Sequence, residues 1–233
     1  MMPFRKLYKY RSLSGDARAF TRRILEHQQL YYAAPGQFND PFDCRFQISL
    51  EGAPLTKAGL AKRDEIQAFC EAWFRDEKNN AAAVLALSEA NDDILMWSHY
   101  ADCHCGVCLG FRVPLDNELH AVSYDEPPAT LYFADFFPEY RNQERFASSI
   151  IGTLTRKAPA WSYEREWRCI ELSGRGEQPI PDGMLCEVIF GCRTSKEDRS
   201  DVRKWLGSRV GAVQFFEACA RDRAFGMDVR PLN

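Results

Sequence analysis

The densest run of chemically able side chains is Trp161-Ser-Tyr-Glu-Arg-Glu-Trp-Arg168. Read as part of a strand over Trp161–Leu172, it alternates faces. Glu164, Glu166 and Arg168 then share a face with Ile170 and Leu172, while Tyr163, Arg165, Trp167 and Cys169 share the other. On either face a charged residue points the same way as large apolar ones. A buried carboxylate there needs a partner, because unpaired buried charge is expensive. Two readings stand side by side: a structural Glu–Arg ladder, and a carboxylate that Arg168 orients toward a ligand. Ion-pair networks and active sites share this signature. Glu166 is the residue expected to carry chemistry, with Glu164 beside it, since a central strand position gives the rigid placement that electrostatic catalysis requires.

Other stretches offer partners. Met96-Trp97-Ser98-His99-Tyr100-Ala101 carries an indole, a hydroxyl, an imidazole and a phenol at a helix end. Such groups can stack on a flat ring and hydrogen-bond a sugar. Packing at i, i+3 would equally explain Trp97 and Tyr100, but it accounts less easily for His99. Phe38-Asn39-Asp40-Pro41-Phe42-Asp43 is a rigid turn: Pro41 bars helical geometry at Asp40, and Asn39 and Asp40 could simply bond their own backbone. Tyr8-Lys9-Tyr10-Arg11-Ser12 sets two cations on one strand face and two phenols on the other. Inside a cleft that cationic face would hold a phosphate or carboxylate. These stretches are expected to line one concave pocket.

Cys103-His104-Cys105-Gly106-Val107-Cys108, with His99 nearby, invites a zinc reading. The candidates all fall within one short segment, whereas zinc sites join ligand pairs from separate knuckles, so no metal is expected. There is no G-x-x-x-x-G-K-[ST], G-x-G-x-x-G, G-x-S-x-G or H-E-x-x-H motif, which disfavours kinases, Rossmann dehydrogenases, α/β-hydrolases and zincins.

The elements that must position these groups follow from periodicity. Leu7–Ser12 is a first strand, and Ser14-Gly15-Asp16 opens a helix carrying Phe20, Ile24 and Leu25. Leu30–Ala33 is a short strand stopped by Pro35-Gly36. Thr56 caps a helix carrying Leu60, Ile66, Phe69, Cys70, Trp73 and Phe74, the last five of which form an amphipathic stripe. Val84–Ser88 is read as a strand, because Asn91-Asp92-Asp93 then caps a helix through Tyr100. Strands are expected at Gly106–Phe111, Leu185–Phe190, Val213–Phe216 and Met227–Val229, with strand and loop through Ser123–Pro138. One helix follows with Tyr140, Phe146, Ile150, Ile151 and Leu154. Another is opened by the capping-box spacing of Thr194 and Glu197. The order lacks a βαβ rhythm, which predicts α+β, a single domain over residues 1–233 with mixed or antiparallel strands and flanking helices.

The 233-residue chain, 45% hydrophobic with sixteen Phe and five Trp, can bury a core without disulfides or metal. A net charge of −3 gives no general drive toward nucleic acid. Nine Cys, an odd number, are expected to be reduced thiols, with Cys70 and Cys169 as core filler. No apolar run reaches the ~18 residues of a membrane helix and no leader pattern opens the chain, so a cytoplasmic location without membrane association is expected.

Four motifs in order, Leu7-Tyr8-Lys9-Tyr10, Leu30–Pro35 running into Phe38–Asp43, Met96–Ala101 with His104 and Gly106, and Trp161-x-Tyr-Glu-x-Glu-Trp-Arg168, resemble the bacterial family called domain of unknown function 2971. The order of an early basic strand, a middle Ser or Tyr element and a late Glu strand also resembles the ADP-ribosyltransferase superfold, whose arginine-directed members carry the Glu-x-Glu that Glu164-Arg165-Glu166 matches. The usual Ser-Thr-Ser is missing, with Ala33-Ala34 or Ser98-His99-Tyr100 in its place. That resemblance implies an ADP-ribosyltransferase or NAD hydrolase, of the kind found among toxins and phage-defence effectors. NAD would be a substrate, with no resident cofactor, and the acceptor a protein or a nucleic acid. It implies catalytic roles for Glu166, Glu164 and His99, and nucleotide contacts from Tyr10, Arg11, Asn39, Asp40, Trp97, Ser98, Tyr100 and Arg168. Two other classes stay open: a module that binds a nucleotide or protein without chemistry, and a nuclease in which Asp40, Asp43 and the two Glu gather a metal.

Overall fold

Alternating residues of Phe4–Arg11 pack on opposite sides of a sheet, and this first strand (β1) organises the rest. The computed structural model describes residues 3–52, 56–75, 82–115, 119–171 and 176–232. The elements that follow are α1 (Gly15–His27), β2 (Gln29–Tyr32), β3 (Phe46–Ser49), α2 (Lys57–Arg75), β4 (Ala83–Ser88), α3 (Ile94–Tyr100), β5 (Val107–Pro114), β6 (Leu119–Ala121) and β7 (Ala129–Tyr132). The chain continues through α4 (Gln143–Leu154), β8 (Glu166–Glu171), β9 (Gly176–Pro179), β10 (Leu185–Phe190), α5 (Lys196–Leu206), β11 (Gln214–Ala220) and β12 (Met227–Pro231). Eight strands form one sheet in the order β12-β11-β10-β5-β1-β4-β8-β6, antiparallel except for β10–β11. Two small pairs, β2–β9 and β3–β7, lie outside it. This is the expected α+β architecture.

Leu7, Leu109, Phe111, Val188 and Phe190 pack with Ile24 and Leu25 of α1 and Val202 and Leu206 of α5. Their strand neighbours Tyr8, Tyr10, Cys108 and Ile189 pack with Met96 and Trp97 of α3. The period-2 alternation thus gives each sheet face its own helices. Among the described residues no helix is long and apolar enough to cross a membrane. All nine cysteines are free, and Cys70 and Cys169 are buried as expected.

Several local expectations need correction. Trp161–Leu172 is not one strand: Pro159–Glu164 winds as a 3-10 turn, Arg165 takes a left-handed conformation at φ 43°, and only Glu166–Glu171 is strand. Leu172 lies outside the described residues. The cap of α5 sits one residue later than the Thr194 box, with Ser195 Oγ accepting from Asp198 N–H while Thr194 Oγ1 donates to the Gly106 carbonyl. Phe20 and Phe69 carry the right period but stay exposed. The Leu60 side chain is not among those described.

Gly106, between α3 and β5, is a point of close approach. A Cβ there would lie 2.2 Å from the Arg11 carbonyl oxygen and 2.9 Å from that of Ala101. Both obstacles are backbone, so neither can step aside. Gly106→Ala should lower unfolding free energy by ~1–3 kcal/mol or more, as overpacking does. Urea unfolding measures this, and an unchanged midpoint would contradict the close approach.

Candidate functional site

The cleft exists because the central sheet forks. β1 pairs with β5 along its whole length but meets β4 only at Tyr8↔Ser88. Beyond that point the β4 edge is taken up elsewhere: Ala33 exchanges two backbone hydrogen bonds with Val84. The Lys9 ammonium reaches across the gap and donates to the Ala86 carbonyl at 3.0 Å. Residues of both sheet faces line the opening, Lys9 and Arg11 from one and Tyr8 and Tyr10 from the other. Phe38, Asn39, Met96, Tyr100, Glu164 and Arg168 complete much of the wall.

A buried ion network forms its floor. The Arg168 guanidinium donates through Nη1 and Nη2 to the two oxygens of Asp43 (3.0 and 2.7 Å) and through Nε to Glu166 Oε1 (2.8 Å). It also donates to the Leu154 carbonyl at 2.6 Å. Lys157 Nζ donates to Glu164 Oε2 (2.5 Å) and Glu166 Oε2 (3.0 Å). Bidentate, charge-assisted geometry of this kind offsets the desolvation of buried charge. The network therefore sets two cations against three carboxylates. Lys9 and Arg11 add two more cations, and neither has an ion-pair partner among the described residues. Arg11 Nε makes only a long 3.4 Å contact with Thr21 Oγ1.

The two glutamates differ in electrostatics. Burial works against the Glu166 charge, but Arg168 and Lys157 overcome it and hold the carboxyl down at about 2. At Glu164 burial wins over Lys157 and the Tyr100 hydrogen bond, so its pKa is raised. Glu164 is the member of the pair whose charge the fold least supports. Burial, with Arg11 alongside, brings the Lys9 ammonium down to about 8.

A hydrogen-bond chain joins three distant stretches. Asn39 Nδ2 donates to Tyr100 Oη (3.1 Å), which donates to Glu164 Oε1 (2.7 Å). The turn that presents Glu164 is tied down at Ser88, whose Oγ donates to the Glu164 carbonyl at 2.6 Å. Glu166 N–H donates to Tyr124 Oη at 2.8 Å, fixing the start of β8. Asp93 caps α3 by accepting from Leu95 and Met96 N–H, which sets the phase that turns Tyr100 inward.

Of the residues expected from sequence, Tyr10, Arg11, Asn39, Tyr100, Glu164, Glu166 and Arg168 line this cleft. Trp97, Ser98, His99 and Asp40 do not. Trp97 is wholly buried against Tyr10, and its indole N–H donates to the Asn91 carbonyl. Ser98 pairs with His104 (3.1 Å), and His99 is exposed beside Tyr163 (3.2 Å). Asp40 lines a neighbouring cleft, one oxygen accepting from Phe42 N–H. Asp43 enters instead. Lys157 was missed, because nothing around Arg156-Lys157-Ala158 forms a motif. The only signal was charge balance: Glu164 and Glu166 with a single Arg168 call for another cation.

A family model described as Protein of unknown function (DUF2971) matches residues 96–169. The resemblance read from the motifs is therefore shown for the segment from α3 into β8, which contains Tyr100, Lys157, Glu164, Glu166 and Arg168. No curated protein and no solved structure matches the chain.

Proposed function

We propose that the cleft binds a nicotinamide dinucleotide and breaks its nicotinamide–ribose bond, passing ADP-ribose to a macromolecular acceptor or to water. The observation that carries this reading is a carboxylate with a raised pKa, Glu164, in one cleft with two cations that lack ion-pair partners among the described residues, Lys9 and Arg11. Breaking the bond builds positive charge on the ribose. A fixed carboxylate stabilises that charge only as it develops, which is what lowers a barrier. The Tyr100 hydroxyl and Lys157 ammonium orient Glu164 through one oxygen each, leaving lone pairs on both. Lys9 and Arg11 suit a pyrophosphate, and the rings of Tyr8, Phe38 and Tyr100 suit a flat heterocycle. An activity that consumes NAD or modifies a macromolecule is what a toxin or phage-defence effector needs.

The test is direct. Purified protein incubated with NAD should release nicotinamide together with ADP-ribose, or leave ADP-ribose on an added protein or nucleic-acid acceptor. No nicotinamide from pH 5 to 9, with or without acceptors, would end this reading.

Affinity should also depend on pH. Lys9 carries its proton below about 8 and loses it above. Anion binding gains from the protonated form, so NAD affinity should fall as pH rises through about 8. A charge-assisted hydrogen bond contributes ~1.5–3 kcal/mol, roughly 10–100-fold in Kd. Lys9→Ala should cost that much at pH 7 and flatten the pH profile in a calorimetric titration. A profile that keeps its fall near pH 8 in the variant would assign it to another group.

A further inference from the structure

The β5–β10 register runs Leu109↔Val188, Cys108↔Ile189, Val107↔Phe190, and the turns that precede β5 and follow β10 stay tied to each other. Gly191 N–H donates to the Gly106 carbonyl (3.0 Å) and Arg193 N–H to the His104 carbonyl (3.1 Å). These bonds bracket Cys105 on one turn and Cys192 on the other and hold the two turns side by side, while each turn also closes on itself through Cys105 N–H to the Asp102 carbonyl and Thr194 N–H to the Gly191 carbonyl. A disulfide needs Cα atoms roughly 4.4–6.8 Å apart, which neighbouring residues held between two such bonds can reach. On the other side of β10, the paired register ends at Phe190↔Glu217, and β11 carries Cys219 two residues beyond that point. All three are free thiols; Cys192 is exposed and the other two are half-buried.

We propose that Cys105 and Cys192 form an oxidation site, converted by a hydroperoxide into a disulfide between the two turns. The thiolate of the exposed Cys192 attacks the peroxide, breaking the O–O bond and forming a sulfenic acid, with hydroxide taking up the thiol proton to leave as water. The Cys105 sulfur then displaces the sulfenic oxygen, which leaves as a second water. Two thiols give up two electrons and two protons, and the peroxide is reduced. Burial pushes the Cys192 thiol up from its ordinary value, and the nearby Cys219 and Cys105 sulfurs add to this. The rate should therefore rise with pH, since the thiolate is the nucleophile. The product would pin the Ala101–Gly106 segment that connects α3, and hence Tyr100, to the sheet. The site does not depend on the nucleotide reading, and its test is independent of any activity.

The experiment treats the full-length protein with hydrogen peroxide, alkylates it, and maps peptides without reductant. A linked pair of peptides containing Cys105 and Cys192 is expected, with two of the nine free thiols lost and recovered by dithiothreitol. The loss should be faster at higher pH. Cys105→Ser should abolish the linked peptide, while Cys219→Ser and Cys103→Ser should leave it. The assignment is overturned if both thiols remain alkylatable, if Cys192 is instead linked to Cys219 or Cys103, or if Cys192 goes to the sulfinic acid without a crosslink. The wild-type map alone decides this should Cys105→Ser fail to fold.

Discussion

Glu164→Gln should cut NAD turnover by roughly 10²–10³-fold, the usual loss when one preorganised electrostatic group is removed, while the fold stays intact. The substitution keeps volume and lets one oxygen still accept from Tyr100. It removes the charge that would stabilise an oxocarbenium-like ribose, so the loss should fall on kcat and leave KM near its wild-type value. Stability should fall less than in Glu166→Gln, although the new amide nitrogen faces the Lys157 ammonium, a donor against a donor. The folded protein raises the Glu164 pKa, so it disfavours the charged form relative to the unfolded chain. Removing that charge near neutral pH takes away a cost. Lys157 keeps Glu166 as a partner at 3.0 Å. The same raised pKa sets the acid limb of the wild-type rate: turnover should fall as pH drops through the Glu164 pKa, because catalysis needs the ionised form. Wild-type turnover in a well-folded Glu164→Gln protein would remove Glu164 from the chemistry. A kcat loss matched by a collapsed melting curve would show only that the protein had been damaged.

Much of the fold was readable because its periodic segments are strong. β1, β4, β5 and β10 lie where alternation or apolar runs placed them, and Asn91-Asp92-Asp93 stops one element and starts the next through the Asp93 cap. The short strands β3, β6 and β9 were not readable. Phe46–Ser49, Leu119–Ala121 and Gly176–Pro179 are held by pairing with distant partners, and local sequence carries no record of that. The site was readable as three stretches but not as a set of side chains. Asp40 and Asp43 sit in one turn, and only its actual geometry decides which carboxylate meets Arg168. Trp97 and Tyr100 share a helix face by spacing, yet the short α3 buries one in the core and brings the other to the cleft. The fork between β1 and β4 is a tertiary feature. It is what turns Lys9, on paper a charged residue in a strand, into a cation beside a cavity.

Glu166→Gln should do the reverse of Glu164→Gln, damaging the fold before it touches any chemistry. Glu166 binds Arg168 through Oε1 at 2.8 Å and Lys157 through Oε2 at 3.0 Å, and all three side chains are almost wholly buried. Breaking a buried pair from one side typically costs 3–5 kcal/mol, because the remaining charge is left uncompensated. The pKa gives a consistent figure: a drop from 4.5 to about 2 corresponds to about 3 kcal/mol at 1.36 kcal/mol per unit. That stability is present above the unfolded pKa and is lost as pH falls from about 4.5 toward 2, so the wild type should weaken across this window and the variant should be flatter. Arg168 has a second carboxylate, Asp43, held by both of its terminal nitrogens. Neutralising it in Glu166→Gln/Arg168→Met therefore recovers part of the loss rather than all of it, and Asp43 is left with Lys157 at 3.8 Å. Urea unfolding of the two single variants and the double variant closes the cycle, with a coupling of about 0.5–3 kcal/mol expected for groups in one network. If Glu166→Gln stays within ~0.5 kcal/mol of wild type, like an ordinary surface change, and turnover vanishes, then Glu166 is the working carboxylate and Glu164 the supporting one.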